Sequence, residues 1–155
     1  MNFRILGLPL EPFASLFELD DAALDARQIR RFVAGEPRSA PCRVTLEDAL
    51  PGERLLLLNY EHQPAPTPFR ARGPIFVREA ARTAFDAVGR TPEAFQGRTL
   101  SARGYDRSGM MVKGQVAPGE DIAGVLESWF DDPSVDEIHL HYAARGCFAA
   151  RAVRS

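Results

Sequence analysis

Four consecutive leucines, residues 55–58, stand between Pro51-Gly52 and a proline cluster at 64–68. An apolar run this short, cut off on both sides by residues that interrupt regular structure, suits a strand covered on both faces. That places residues 54–60 at the centre of a sheet. Much of the chain shares this grain. Residues 3–7, 29–34 and 74–78 read as strands, and residues 99–105 and 110–116 read as two more, joined by the turn Asp106-Arg107-Ser108-Gly109. A final pair, 137–143 and 147–153, forms a hairpin.

Helices are fewer. Ile122, Val125, Leu126, Trp129 and Phe130 recur at the spacing of one apolar stripe, predicting a helix over 119–130 that Pro133 ends. Phe13, Leu16 and Phe17 sit at helical spacing, and Asp20 is a fair N-cap for 21–28. Thr45 is expected to cap one helical turn over 46–50. Residues 79–88 fit either a helix ended by Gly89 or a loop. Strands in excess of helices, linked by short turns, predict an α+β fold. The expectation is a single domain over residues 1–155, mostly antiparallel β-sheet with two to three helices packed on one face.

A formal charge of −2, from 19 basic and 21 acidic residues, supplies no long-range attraction to nucleic acid or anionic lipid. The start of the chain lacks a secretory signal, and no window reaches the roughly 20 apolar residues needed to cross a bilayer. The expected location is the cytoplasm, with Cys42 and Cys147 as free thiols. Lys113 is the single lysine; so marked a preference for arginine reflects genome composition more simply than anion binding. Arg70, Arg72, Arg78 and Arg82 accordingly read as an ion-paired surface.

The chemistry concentrates in the hairpin. Alternate residues of a strand share a face, so His139 and His141 point one way, and Ile138, Leu140 and Tyr142 the other. A three-residue loop of Ala144, Arg145 and Gly146 would oppose His141 to Ala149 and His139 to Arg151. One face then carries His139, His141, Cys147 and Arg151, and Phe148 joins the apolar face. Two imidazoles at that spacing can chelate zinc or another divalent transition metal, with Cys147 as a softer third ligand. Cys147 with His141 as base would instead suit thiol chemistry. Half-exposed histidines beside a packed cysteine are the plain structural alternative.

A second polar group, Asn59, Glu61 and His62, lies where the leucine strand ends. His62 could complete a three-histidine metal site with His139 and His141. Glu61 could orient an imidazole, and Asn59, Glu61, His62 and Arg151 could line a small-ligand pocket. No nucleotide fingerprint or nucleophile elbow occurs.

Asn59-Tyr60-Glu61-His62-Gln63-Pro64, Ile75-Phe76-Val77-Arg78-Glu79 and Arg145-Gly146-Cys147-Phe148-Ala149-Ala150-Arg151 together resemble the bacterial domain-of-unknown-function family 1203. The resemblance covers nearly the whole chain. It implies a small stand-alone bacterial domain and brings no activity, cofactor or catalytic residue with it. Where it suggests a Ser-His segment before the Ile75 strand, this chain has Arg72-Gly73-Pro74. The leading functional expectation is therefore a metal- or small-ligand-binding domain, with a thiol/imidazole enzyme or a protein-interaction domain as alternatives.

Overall fold

Breaker-framed apolar runs become strands, and the computed structural model, which describes residues 2–155, arranges them in two antiparallel sheets. In chain order the elements are β1 (Phe3–Leu6), α1 (Glu11–Ala14), α2 (Asp21–Asp25), β2 (Arg30–Val33), β3 (Arg54–Gln63), β4 (Ala71–Arg78), β5 (Asp86–Val88), β6 (Thr99–Tyr105), β7 (Met111–Pro118), α3 (Ile122–Phe130), β8 (Glu137–Tyr142) and β9 (Phe148–Arg154). The large sheet has the order β5-β1-β9-β8-β6-β7, and the small one β2-β3-β4. The fold is thus α+β, as the strand-rich pattern predicts. No helix is long and apolar enough to cross a membrane among the described residues.

Period-two alternation divides the large sheet into two faces. Phe3 and Ile5 of β1, Leu100 and Ala102 of β6, Ile138 and Leu140 of β8, and Ala150 and Ala152 of β9 line one face. Against them α3 lays its stripe of Ile122, Leu126, Trp129 and Phe130. The stripe exists because those residues recur at helical spacing.

The second face meets the small sheet. Leu56 and Leu58 of β3 sit opposite Val77 and Ile75 of β4, so all four share a side. They enclose Phe148 of β9, with Phe13 of α1 and Leu24 of α2 closing the same core. Asp20 caps α2 as expected, its Oδ1 accepting from the Ala23 amide at 2.8 Å. The leucine strand is central in its own sheet rather than in the larger one, and its other face is covered at Leu55 by a small cluster with Ala34, Ala40 and Ala49.

One local expectation fails, and one open alternative is decided for the loop, with a short strand at its end. Residues 46–50 form no helical turn: Leu46 adopts φ +53°, and Asp48 bridges to Pro41, so the segment is a tight non-helical hairpin. Residues 79–88 yield a turn and the short edge strand β5, because Gly7 and Phe85 hydrogen-bond through their backbones at 2.8 Å.

Leu126 is fully buried between α3 and the large sheet, whereas Val116 on the β7 edge is 62% exposed. Leu126→Ala is expected to lower unfolding free energy in urea by about 2–5 kcal/mol. Val116→Ala is expected to stay within about 0.5 kcal/mol. Equal effects would refute the packing described.

Candidate metal centre

His62 belongs to β3, which continues through Gln63 instead of ending at residue 60. Alternation therefore carries His62 onto the side of Leu56, Leu58 and Tyr60, facing the large sheet, and turns Asn59 and Glu61 outward. Asn59 Oδ1 accepts from Arg72, and Glu61 pairs with Arg70 at 3.1 Å. Glu61 thus orients no imidazole, although it stays at the wall of the cleft that opens onto His62, whereas Asn59 lies outside that cleft. A strand reading carried three residues further would have separated them. The proline loop beyond is pinned where Thr67 Oγ1 donates to the Gly109 carbonyl at 3.1 Å. Gly109 holds φ +84°, and a Cβ there would come 2.3 Å from that of Ala65, so only glycine permits this approach.

In the β8–β9 hairpin, His139 faces Arg151 and Leu140 faces Ala150, as predicted. Beyond that point the register shifts. His141 faces Phe148, and the Tyr142 amide donates to the Cys147 carbonyl at 2.9 Å. The loop contains four residues, 143–146, rather than three, and Ala149 is the extra residue of a bulge. Gly146 keeps the left-handed conformation, φ +76°. One residue of slip reverses side chains. Phe148 consequently turns to the histidine side, and Cys147 leaves it. The Cys147 thiol accepts from Arg43 Nη2 at 3.1 Å and is not part of the imidazole group; Cys42 is buried, and both thiols are free.

The three histidines converge between the sheets. One ring nitrogen from each of His62, His139 and His141 lies within 4.8 Å of the other two. The His62 ring centroid is 4.9 Å from that of His141 and 6.0 Å from that of His139. The Phe148 ring stacks on His62 at 5.2 Å, and Tyr105 stands 4.8 Å from His139.

Each imidazole keeps a buried nitrogen without a partner: Nδ1 of His62, Nδ1 of His139 and Nε2 of His141. On His139 and His141 the second nitrogen is engaged. His139 Nε2 lies 3.2 Å from Glu137 Oε1, and His141 Nδ1 lies 2.9 Å from the Gly146 carbonyl. A carboxylate or carbonyl on one nitrogen fixes the tautomer that leaves the other as a lone-pair donor. Glu137 is the residue the sequence reading missed, though it stands two before His139 on the same strand. Its other oxygen accepts from Arg151 Nε at 2.5 Å.

A cleft of about 870 Å³ opens onto His62, His139, Glu137 and Arg151, with Leu6 and Phe85 among its apolar walls. His141 lies behind it, 1% exposed.

Electrostatics keep His62 and His141 neutral. Burial, then the neighbouring His139 and Arg103, bring the His62 pKa down to about 4. Burial outweighs the Gly146 hydrogen bond and brings His141 to about 3. The hydrogen bond from His139 holds Glu137 at about 2 against its own desolvation. The unfolded chain, with ordinary histidines near 6.5, therefore binds protons that the folded chain refuses. Stability of the metal-free protein is expected to fall as pH drops from 6.5 to 4. Loss continues below 4.5 as the depressed Glu137 is forced to protonate. Urea unfolding in chelator across this range tests it, and His141→Asn should flatten the upper part of the slope. A wild-type slope of zero or opposite sign would contradict the neutral assignment.

Neither the curated proteins nor the solved structures yield a match to this chain. The model of one family, described as "Protein of unknown function (DUF1203)", matches residues 39–154, a span that contains all three histidines and Glu137. The chain belongs to the DUF1203 family.

Proposed function

We propose that this protein binds one divalent transition metal, zinc by its donor set, through His62, His139 and His141, and uses the cleft to admit a small ligand to that metal. The observation that carries the reading is the convergence of three imidazoles from strands of two different sheets, each of which also keeps one buried nitrogen without a partner. Leaving such groups unpaired costs about 1–3 kcal/mol apiece, a cost that coordination removes. Three imidazole nitrogens suit zinc, and three protein ligands leave a fourth position open. Tetrahedral zinc sets its nitrogens about 3.3 Å apart, so closing from 4.8 Å asks for small side-chain rotations only.

The surroundings agree with this reading. Glu137 and the Gly146 carbonyl hold two of the rings from behind. The Glu137 carboxylate supplies negative charge close to a dication, and Arg151 beside it gives the cleft wall a donor for an anionic ligand. A metal-bound water reached from the cleft would have a lowered pKa and serve as a nucleophile. Two free thiols fit the reducing cytoplasm proposed as its location.

Protein purified without added metal is expected to carry close to one equivalent of zinc or a similar ion by elemental analysis. His139→Ala/His141→Ala should reduce this to background. Glu137→Ala is expected to weaken zinc binding about 10–100-fold in a chelator competition, because His139 loses its orienting partner. Wild-type protein that carries no metal and gives no heat on zinc titration near neutral pH would overturn the proposal.

A further inference from the structure

Arg43 is 2% exposed and has no carboxylate partner among the described residues. Its guanidinium donates to the Phe148 carbonyl at 2.5 Å, to the Pro41 carbonyl and to Cys147 Sγ, and it lies 5.0 Å over the Tyr142 ring. Those partners satisfy hydrogen bonds without balancing a charge. Buried charges are as a rule paired or ligand-bound, since desolvation costs several kcal/mol per ion. Burial accordingly pulls the Arg43 pKa below the ordinary arginine value.

The recess above Arg43 continues the imbalance. It encloses about 510 Å³, and its lining holds Arg38, Arg43, Arg98 and Arg145 and no acidic residue. Two of these are occupied: Arg98 pairs with Asp48 at 2.7 Å, and Arg38 donates to the Gln96 carbonyl. Arg145 is exposed at the rim, on the hairpin loop. Phe76 and Tyr142 provide aromatic wall, and Thr99 a hydroxyl. An adjoining recess of about 460 Å³ shares Arg43, Arg145 and Cys147. None of the residues lining the 510 Å³ recess lines the histidine cleft.

We propose that this recess binds the phosphate group of a small phosphorylated organic molecule, with Arg43 at its floor, Arg145 at its rim, and Tyr142 and Phe76 against the organic part. Arginine forks match the oxygen geometry of a phosphate and form the stronger, charge-assisted hydrogen bonds. The volume exceeds what a bare anion fills and falls in the range of small-molecule pockets. The exposed side of the Arg43–Cys147 contact makes Cys147 a built-in reporter, because an occupant would cover a thiol that is otherwise half-buried.

The experiment uses full-length protein treated with chelator, so that its outcome is independent of the metal proposal. Alkylation of Cys147 by neutral iodoacetamide is followed by peptide mass, at constant ionic strength, with phenyl phosphate, inorganic phosphate or phenol present. Millimolar phenyl phosphate is expected to slow labelling several-fold, and phenol not at all. Arg145→Ala, a change on an exposed loop, should raise the half-protecting concentration about tenfold, with Arg145→Lys between the two. Each variant is compared with its own ligand-free rate. Weaker protection by inorganic phosphate supports the organic ligand, while equal protection upholds the oxyanion site and removes the aromatic walls from it. No protection at tens of millimolar phenyl phosphate, equal protection by phenol, or an unchanged half-protecting concentration in Arg145→Ala would overturn the proposal.

Discussion

The Phe148 ring, gripped between the sheets by Leu56, Leu58, Ile75 and Val77, is the contact on which the rest of this molecule depends. Burial of one aromatic ring and four aliphatic side chains supplies several kcal/mol of hydrophobic stabilisation. More to the point, it sets the separation and rotation of two sheets that no backbone ladder joins strand to strand. The imidazole of His62 lies flat on that ring, and Arg43 holds the carbonyl of the same residue. Both proposed sites therefore share one anchor, the histidines on its ring and the arginine recess on its backbone.

The two sites solve opposite electrostatic problems. Between the sheets, burial and Arg103 disfavour positive charge, so His62 and His141 stay neutral and keep lone pairs available. Metals compete with protons for such lone pairs, and here the protons are already excluded near neutral pH. In the recess, by contrast, a guanidinium cannot discard its proton at any ordinary pH. It remains a cation in search of an anion. A dication among neutral donors and an anion among arginines are the occupants that remove these two imbalances.

The expected surface arginines behave differently. Arg70 pairs with Glu61 in a partly exposed bridge of the kind worth about 0–1 kcal/mol, and Arg78 pairs with Glu53 and Glu47, whereas Arg72 donates to Asn59 Oδ1 and Arg82 to the Glu79 and Ala81 carbonyls. Arg43 and Arg145 differ because one is buried without a counter-charge and the other lines the same recess. Composition could not make that distinction, since every arginine looks alike in a chain that nearly lacks lysine.

Local chemistry alone was enough to place every strand but β5, the α3 stripe, the common face of His139 and His141, and the left-handed glycine at residue 146. Each depends on residues a few positions apart, where the two-residue and 3.6-residue periods act directly. Alternation also held the signals for Glu137 and for the outward turn of Glu61, once β3 is carried to Gln63. The bulge at Ala149 was a different matter. One inserted residue moved Phe148 and Cys147 to exchanged sides, and its cause is the fit of an aromatic ring into a core built from distant strands. Likewise His62 reached the other imidazoles, and Arg43 reached Cys147, only because sheet packed on sheet. Such contacts join residues far apart along the chain, and no period in a sequence encodes them.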